Sequence, residues 1–456
     1  MSFFVKKIGL PMAERLRGMY VGRYLKELLR TQWLSLDEIR SIQDAKLTKL
    51  IDHAYRTVPF YTEVMNRCGL TPDDITCVDD LPKLPILTKE IIRANYPDKM
   101  ISTLFDASKL MVMTSSGSTG EPFRYVLSDD EKAIKWAGLY RFWKWAGYEM
   151  GDRIVNLTAF PPKAFKHNKL IGFLESRFSG MLGLPAFNLY DKNASEYVEK
   201  IAAFKPNTLR GYASTLYYLA EIMSGKGVSL KLNSVCTTGE TLFEFQRELM
   251  ESVYGCKVYD GYGGEGMETA GQCGHDPGYH INAENIILET VGPDGAVCGP
   301  GVEGQVVLTD LNRYAMPFIR YNIQDVAVKS DRICSCGRGL PMLEKVSGRL
   351  SDIGITPSGK PIYVHFFTLM FSKITPEVVS FQIVQERPDV MVVAIVPGKG
   401  FDAVRGDILS KIQAYVGDDV TLKLELVDEI PTTLGGKRRY FISKCGIQPA
   451  AMSECE

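Results

Sequence analysis

The chain has almost no charge imbalance, because 53 Lys and Arg residues stand against 54 Asp and Glu residues and give a formal net charge of −1. Near-neutrality argues against a broad surface for nucleic acid or anionic membrane. No apolar run reaches the roughly 18 residues of a membrane-spanning helix, and the first residues lack the continuous apolar segment of a signal peptide. We therefore expect a cytoplasmic protein with no nucleic-acid partner and no membrane span.

Histidine and cysteine are scarce, with 5 and 10 residues respectively. So few cysteines in a long chain are too few for a disulfide scaffold, which favours a reducing compartment. The hydrophobic and charged fractions, 45% and 23%, are those of a soluble globular protein. A length of 456 residues suggests two or three domains with a large core.

Residues 114–122 read TSSGSTGEP and follow an apolar stretch, 109–113, that predicts a buried strand. The glycines permit backbone angles at which successive N–H groups converge on one anion, and the hydroxyl groups add donors. A phosphate-binding loop and an ordinary hairpin turn both fit this composition. A Walker A loop does not, because the loop has no lysine and a second predicted strand, 123–127, precedes the helix that Ser128 and Glu131 begin as a capping box.

The order of predicted elements indicates an α/β fold. Residues 1–110 favour helices, and from 109 to about 260 strands alternate with helices, as in a mainly parallel sheet covered on both faces. The expected strands are 153–157, 234–237 and 257–259, and the expected helices are 195–204, 215–223 and 243–253. From 284, short strands between Gly/Pro turns are typical of antiparallel structure; they are 285–289, 304–309 and 318–321. A compact α+β unit should follow about 350, with a hairpin of 381–385 and 390–396, a helix at 401–416 and a final strand at 421–426.

The segment CSCG places Cys334 and Cys336 one residue apart, a spacing at which two thiolates can hold one metal ion. Cys273, His275 and His280 lie upstream, and any two of them would complete a tetrahedral zinc site. Such a site would be structural, since protein ligands fill every position. The alternative is two unrelated turns that contain cysteine.

Four further segments carry groups that could bind a nucleotide. Residues 258–265 (VYDGYGGE) end a predicted strand in a glycine-rich turn, and 237–240 (TTGE) end the preceding strand. Ligands bind at such strand ends in open α/β sheets. Residues 320–325 (RYNIQD) offer a carboxylate for ribose hydroxyls, and 431–439 (PTTLGGKRR) carry a lysine on a double-glycine loop. Taken singly, each segment is explained more simply as a turn, an ion pair or a basic loop.

Together, TSSGSTGEP, TTGETL, YDGYGGEG, RYNIQD, SGRLSD and LGGKRR occur in this order between residues 114 and 439. This series resembles the adenylate-forming superfamily. The segments AKLTKLIDHAYRTVPFYTEVM, LPILTKEII, MPFIRYNIQD and CSCGRGLP resemble its phenylacetate–CoA ligase branch, which includes the CapK-like proteins of capsule biosynthesis.

The resemblance implies a role for each matched residue. Tyr262 would stack on adenine, Asp325 would bind the ribose hydroxyls, Glu265 would coordinate Mg²⁺, Lys437 would reach the carboxylate and the α-phosphate, and Asp352 would be the hinge. The other implied ATP contacts are Ser115, Ser116, Gly117, Ser118, Thr119, Gly120, Gly239, Glu240, Gly263 and Arg320. The implied zinc ligands are Cys273, His280, Cys334 and Cys336, with His275 as the alternative, and the acyl pocket would begin at 210–214, with Tyr212, Ala213 and Gly261 in its wall.

Two departures from the family pattern bear on these roles. The spacing from Tyr262 to Glu265 is one residue shorter than in most relatives, which weakens the assignment of Glu265 to the metal. Gln324 precedes Asp325 where glycine is usual.

The resemblance also implies two domains. Residues 1–350 would form the N-terminal adenylation domain, with a helical lead-in over 1–108 and a zinc-bearing β subdomain at about 270–345. Residues 351–456 would form a small, mobile α+β lid domain.

The implied activity is an ATP-dependent ligase that joins an aryl or arylalkyl carboxylic acid to CoA through an acyl-adenylate, with Mg²⁺ and a structural Zn²⁺. Alternatives are transfer to a carrier-protein phosphopantetheine or an amine, AMP transfer as in deazaflavin-cofactor synthetases, and a nucleotide-binding protein without catalysis. Retention of both Asp325 and Lys437 argues against the last of these. The sequence leaves the oligomeric state open, a dimer included.

Overall fold

The computed structural model describes residues 20–115, 123–158, 180–186, 189, 194–349, 352–371, 373–374, 377–431 and 438–445. Among these residues, one eleven-stranded sheet organises the chain up to residue 349, and a four-stranded sheet organises the C-terminal part. The expected α/β class is confirmed. No helix in the described ranges is both long enough and apolar enough to span a membrane.

The described part of the chain starts with helices, as predicted: α1 (Val21–Thr31), α2 (Leu36–Thr57), α3 (Pro59–Arg67) and α4 (Lys89–Asn95). Helix α2 starts at a capping box in which Ser35 and Glu38 satisfy each other's backbone N–H groups. Its apolar positions Leu47, Leu50 and Ile51 recur at helical spacing and are fully buried. This face packs into the core of the large domain.

Strands β1 (Met111–Thr114) and β2 (Arg124–Leu127) form an antiparallel pair, and the capping box at Ser128 begins helix α5 (Asp129–Trp145) as predicted. The prediction that the first of these strands is buried was wrong, because Met111 and Val112 are 44% and 55% exposed. The physical reason is that β1 pairs only with β2 and is not part of the main sheet.

The main sheet has the order β10-β11-β12-β13-β9-β8-β7-β6-β5-β3-β4. Its parallel half contains β3 (Ile154–Thr158), β4 (Met181–Pro185), β5 (Thr208–Gly211), β6 (Ser234–Thr238) and β7 (Val258–Gly264). Helices α6 (Ala194–Phe204), α7 (Ala213–Lys226) and α8 (Glu244–Tyr254) alternate with these strands. The predicted strand–helix alternation of this region is therefore confirmed.

The antiparallel half contains β8 (Met267–Gly271), β9 (Tyr279–Ile281), β10 (Ile286–Val291), β11 (Glu303–Asp310), β12 (Tyr321–Ser330) and β13 (Met342–Arg349). Strand β7 joins the halves, since it pairs parallel with β6 and then antiparallel with β8. The glycine-rich turn predicted after residue 259 is therefore mostly strand. The strand predicted at 318–321 begins only at Tyr321, because Arg320 has a positive φ of 51° that breaks the extended backbone.

The C-terminal part contains β14 (Ile353–Ile355), β15 (Pro361–Tyr363), α9 (Val364–Phe371), β16 (Val378–Arg387), β17 (Val390–Pro397), α10 (Phe401–Val416), β18 (Thr421–Leu426) and β19 (Phe441–Ser443). The predicted hairpin, the helix and the strand at 421–426 are confirmed. That strand is not the final one, because β19 follows it and pairs with β16. Its apolar core, centred on Phe367, Ile383 and Ile408, also includes Phe243 from the large domain. This shared residue fixes where the two parts meet.

A buried ion pair ties the N-terminal helices to the main sheet. The Arg141 guanidinium on α5 lies 2.7 Å from the Glu284 carboxylate just before β10, and the two side chains are 0% and 3% exposed. Thr31 on α1 donates its hydroxyl to the same Glu284 oxygen at 2.7 Å, and Asn282 accepts a second guanidinium hydrogen bond. Three separate segments therefore depend on one charge pair.

Arg141→Leu should lower the free energy of unfolding by about 3–5 kcal/mol, because it leaves the Glu284 charge buried without a partner. Urea denaturation measures this loss. The double variant Arg141→Leu/Glu284→Leu is the control and should recover most of the loss, since no unpaired charge remains. A double variant as unstable as the single one would contradict the role given to the charge pair.

Candidate active site

A cavity of about 180 Å³ lies where the carboxyl ends of β6 and β7 meet the C-terminal part of the chain. Its wall includes Gly239, Glu240, Tyr262, Glu265, Asp325 and Arg349, together with 438–441 from the C-terminal part. Sequence positions as far apart as 239 and 441 thus converge on one cleft. The topology explains this, because parallel strands present their carboxyl ends at one edge of a sheet.

Tyr262 and Asp325 lie side by side at the cavity wall. The Tyr262 hydroxyl donates to the Asp325 carboxylate at 2.9 Å, and the Arg349 Nε lies 3.7 Å from the other oxygen of that carboxylate. Asp325 and Arg349 are direct partners across β12 and β13. Burial raises the pKa of Asp325 above its ordinary value, although Arg349 and Tyr262 act in the opposite direction. The result is an acceptor held in place by a phenol and a cation.

Glu240 connects the large domain to the C-terminal part. One of its oxygens accepts the backbone N–H of Ser214 in the first turn of α7 at 2.8 Å, and the other accepts the backbone N–H of Arg438 at 3.1 Å. Arg438 also lies over the ring of Tyr218, 5.5 Å from its centroid. The positive φ of 72° at Gly239 turns the chain so that this carboxylate faces both donors. The segment that begins at Arg438 is therefore fixed to the rim of the cavity.

Glu265 lies at the turn between β7 and β8. Both Glu265 and Gly266 have positive φ, 47° and 84°, as a tight two-residue hairpin turn requires. The Arg313 side chain donates to the Glu265 carbonyl at 2.7 Å and holds the turn. Gly263 cannot carry a side chain, since a Cβ there would lie 2.2 Å from the Met267 carbonyl oxygen. The turn thus presents the Glu265 carboxylate to the same cavity as Tyr262.

Asp352 lies between β13 and β14, at the junction of the two parts of the chain, and lines the cavity. Its carboxylate accepts from the Arg439 guanidinium at 2.6 Å. The junction and the segment after residue 437 are therefore bound to each other.

The structure corrects the expectation that Arg320 lies at the nucleotide site. Its guanidinium pairs with the buried Glu289 carboxylate at 3.0 Å and donates to the Leu84 carbonyl at 2.6 Å. With 3% of its surface exposed, it has a structural contact in the interior rather than a place in the cavity wall. The physical reason is that the buried Glu289 carboxylate pairs with the guanidinium and holds it in the interior.

Ser115 closes the β1–β2 hairpin, since its hydroxyl oxygen accepts the Phe123 N–H at 3.0 Å. The rest of the expected phosphate loop, Ser116 to Gly120, and Lys437 lie outside the described residues. Tyr212 and Ala213 are buried at the start of α7, and Gly261 lines the cavity from β7.

Four potential metal ligands converge at the end of the β8–β9 and β12–β13 connections. One ligand atom from each of Cys273, His280, Cys334 and Cys336 lies within 4.8 Å of all the others. The Cys273 and Cys334 sulfurs are 3.6 Å apart, close to the roughly 3.7 Å that two thiolates adopt around a tetrahedral zinc ion. The Cys336 sulfur lies 3.2 Å from His280 Nε2. His275 is exposed and lies outside this cluster.

The surroundings of the cluster hold its ligands in place. Asp276 accepts the backbone N–H and the hydroxyl of Ser335, the residue between the two cysteines, at 2.5 and 2.6 Å. The ring of Trp145 contacts that of His280 edge-on, with centroids 5.4 Å apart. Burial lowers the pKa of His280 to about 4, so its ring is neutral at pH 7 and keeps a lone pair for a metal.

Several known proteins are similar to this chain over most of its length. Residues 355–444 match the family model of the CapK C-terminal domain. Protein CapK of Staphylococcus aureus is 23% identical over 439 residues, 94% of each chain. Phenylacetate-coenzyme A ligase of Thermus thermophilus is 26% identical over 445 residues, 90% of this chain and 97% of the relative. A crystal structure of 2-hydroxyisobutyryl-CoA ligase in the postadenylation state with R3-HIB-AMP has the same fold, with a TM-score of 0.74, 20% identity and 91% of each chain covered.

The chain is thus similar to protein CapK and to phenylacetate-coenzyme A ligases over most of its length, and it has the fold of a CoA ligase of known structure.

Sequence reasoning missed two residues of the cavity wall. Arg349 belongs to the segment SGRLSD, in which the sequence analysis assigns a role only to Asp352. The structure shows that Arg349 forms an ion pair with Asp325 across β12 and β13. Arg438 follows Lys437 and contacts Glu240 through its backbone, a contact that no side-chain pattern encodes. The sequence did offer a sign of Arg349. It is an arginine three residues before the expected hinge Asp352, and a carboxylate such as Asp325 needs a cation beside it when it is buried.

Glu240→Ala should lower the free energy of unfolding by about 1–2 kcal/mol, because the first turn of α7 loses a charged acceptor for its free N–H groups. Thermal or urea denaturation measures this. Glu244→Ala on α8 is the matched control, since Glu244 is 69% exposed and its removal should cost under about 0.5 kcal/mol. Equal losses in the two variants would show that the contact to Ser214 does not stabilise the helix.

Proposed function

We propose that this protein activates a carboxylic acid with ATP, forming an acyl-adenylate, and then transfers the acyl group to the thiol of CoA. One observation carries the proposal: three separate motifs contribute Glu240, Tyr262, Glu265 and Asp325 to one cavity that the segment after Lys437 closes. The names of the relatives support it, since they include phenylacetate-coenzyme A ligases. The solved structures of the same fold include CoA ligases with bound acyl-AMP.

The proposed nucleotide contacts follow from the cavity. Tyr262 would stack on the adenine against Gly239, and Asp325 would accept the ribose hydroxyls. The bond from the Tyr262 hydroxyl to Asp325 keeps that carboxylate oriented before ATP arrives. Arg349 would hold it ionised, because a nearby cation favours the charged carboxylate over the neutral acid. The loop from Ser115 to Gly120 would bind the phosphates.

The chemistry brings two anions together, and the cations lower the repulsion between them. A carboxylate oxygen attacks the α-phosphorus, the bond to pyrophosphate breaks, and pyrophosphate leaves with its electron pair. Lys437 would neutralise charge on both reacting groups at that moment. Glu265 would hold Mg²⁺, which supplies charge neutralisation at the phosphates; an acidic side chain at the cavity rim fits that role. The sulfur of CoA then attacks the carbonyl carbon, and the bond to AMP breaks.

The second step requires the C-terminal part to move. Lys437 would have to withdraw before the thiol can approach the carbonyl carbon. Rotation about Asp352, between a 1–350 domain and a 351–456 lid, would break the Glu240 to Arg438 contact and the stacking of Arg438 on Tyr218. Both contacts lie at the rim of the cavity, which suits a lid domain that must close and reopen in every catalytic cycle.

Carboxylate-dependent exchange of pyrophosphate into ATP tests the first step. Lys437→Ala should lower this exchange by about 10²-fold or more, while thioester formation from a supplied acyl-adenylate should remain largely intact. Lys423→Ala, which removes an exposed lysine of the same domain, is the control and should leave both steps unchanged.

Absence of exchange with every acid of a broad panel, phenylacetate included, would overturn the proposal. Exchange without CoA-dependent release of AMP would assign the second step to another acceptor, a carrier-protein thiol or an amine. Equal loss of both steps in Lys437→Ala would contradict the rotation.

We also propose that Cys273, His280, Cys334 and Cys336 bind one structural Zn²⁺. Three soft thiolates and one imidazole, with ligand atoms within 4.8 Å of one another, suit zinc. The site lies at the ends of β8, β9 and β13, and it would fix the strands that place Tyr262 and Asp325.

Mass spectrometry of the purified protein should find about one zinc ion per chain. Cys334→Ser should lose most of the metal and lower the melting temperature, because a structural zinc contributes directly to folding. Cys298→Ser is the control, since Cys298 lies outside the cluster. A wild-type protein without zinc, or a Cys334→Ser variant that keeps it, would contradict the site.

A further inference from the structure

Strand β18 (Thr421–Leu426) forms one edge of the four-stranded sheet in the C-terminal part. It pairs in parallel with β17 on one side, and no strand of the described ranges pairs with its other side. We call that other side the open edge. An edge of this kind presents unpaired N–H and C=O groups, which can bind a strand of another chain.

Alternate residues of β18 direct their backbone groups to the open edge. The N–H groups of Thr421 and Val427 donate to the carbonyl groups of Asp389 and Ile395 at 2.8 and 3.0 Å, so these two residues face β17. Because successive residues of a strand point their N–H and C=O groups to opposite sides, the even-numbered residues face away from β17. The residues that face the open edge are Leu422, Leu424 and Leu426.

The side chains of β18 form one apolar face and one charged face. Leu422 and Leu424 pack against the apolar core of the C-terminal part, whereas Leu426, on the same face, is 52% exposed. Lys423 and Glu425 are exposed on the opposite face, and neither forms an ion pair with another described residue. The open edge therefore carries an uncovered leucine and two charges that no described residue pairs.

The sequence of β18 is complementary to itself when two copies run antiparallel. With a two-fold axis at Leu424, Lys423 lies opposite Glu425 of the second copy, and Leu426 lies opposite Leu422 of the second copy. The leucines, whose backbone groups face the open edge, then form the hydrogen-bonded pairs. The Lys–Glu positions are the non-hydrogen-bonded pairs, in which side chains approach most closely. Opposite charges at such positions stabilise a strand pair, and like charges destabilise it.

Other positions of the two-fold axis lose this complementarity. An axis at Lys423 or at Glu425 places two like charges directly opposite each other, which opposes pairing. An axis at Leu422 places Lys423 opposite Thr421, and an axis at Leu426 places Glu425 opposite Val427. Of the axes that lie within β18, only the one at Leu424 therefore brings the lysine of one copy to the glutamate of the other.

We propose that a second copy of this chain binds the open edge, so that two β18 strands pair antiparallel about Leu424 and join two four-stranded sheets into one. Leu422 of the second copy then covers the exposed Leu426. A lysine in an edge strand usually discourages such pairing, but here Glu425 of the second copy compensates the charge of Lys423. The acidic Asp419 and Glu429, which this register would also bring opposite each other, lie outside β18, in a turn and after a bend. The pairing therefore ends with the strand.

The proposed contact is small and lies away from the candidate active site. Each copy contributes one strand of 6 residues, so the dimer is weak and in equilibrium with the monomer. Strand β19, whose Phe441 lines the active-site cavity, is the opposite edge of the same sheet. Two strands separate it from β18, a distance of about 14 Å at the usual strand spacing. Pairing at β18 therefore leaves the cavity open and does not depend on the proposed ligase function.

Sedimentation velocity at chain concentrations from about 1 to 200 µM, the range of weak dimers, tests the proposal. The sedimentation coefficient of the wild-type protein should rise with concentration. Lys423→Glu and Glu425→Lys should each weaken the dimer about ten-fold or more, because each places like charges opposite each other on both sides of the axis. Lys444→Glu is the matched control: it makes the same charge change just after β19, at the opposite edge, and should leave the dissociation constant unchanged.

A mixture of the two single variants tests the register itself. In Lys423→Glu both charged positions of β18 are acidic, and in Glu425→Lys both are basic. The two variants should therefore associate with each other although each alone stays largely monomeric. The double variant Lys423→Glu/Glu425→Lys, which exchanges the two charges, should recover the dimer of the wild type.

Three results would overturn the proposal: a wild-type protein that stays monomeric throughout the concentration range, a dimer that both single variants form as tightly as the wild type, or a mixture in which the two variants do not associate. A wild-type monomer would mean that the charges of β18 protect the edge or that it binds a strand of a different protein. Both substituted side chains are exposed, so the variants should fold, and circular dichroism checks this.

Discussion

The candidate active site depends first on the pairing of β7. This strand must pair with β6 on one side and with β8 on the other while it carries the residues proposed to bind the nucleotide. Strand pairing brings backbones close, and at Gly263 a Cβ would lie 2.2 Å from a carbonyl oxygen of β8. Gly263 is therefore required by packing against a neighbouring backbone rather than by the flexibility of a loop. Tyr262 gains a fixed direction from the same pairing.

A second constraint concerns the joint between the domains. The C-terminal part packs against the large domain through Phe243, which belongs to its apolar core, and through polar contacts at Glu240. An extensive apolar interface would resist rotation of the C-terminal part. The hydrogen bond from Arg438 to Glu240 and the contact of Arg438 with the Tyr218 ring break at small cost, because water replaces them. The apolar contact of Phe243 and the polar contact of Glu240 therefore together determine how readily the proposed lid domain rotates away and returns.

The sequence predicted most of the helices and strands because their period is local: apolar residues at helical spacing in α2 and alternation in β16 need no knowledge of distant residues. It also predicted the cluster of three cysteines and one histidine, which the structure brings together although residues 273 and 336 are far apart in the chain. It failed where a long-range contact decided the outcome. Arg320 was assigned to the nucleotide site from its motif, yet Glu289, a residue in another strand, determines its direction. Strand β1 is likewise exposed because it pairs only with β2 and is not part of the main sheet, which its local sequence does not reveal.

Electrostatics distinguishes two arginines of the large domain. Arg141 lies on α5 and Arg210 on β5, and each guanidinium has a tryptophan ring of α5 beside it. Arg141 has a carboxylate at 2.7 Å and a second acceptor in Asn282, so its charge serves the fold. Arg210 has one amide acceptor and is only partly buried, in the wall of a small cavity that also contains the Asp260 and Glu268 carboxylates. Because a charge is costly to bury without a partner, the fully buried Arg141 requires the Glu284 carboxylate, whereas Arg210 remains partly accessible to solvent.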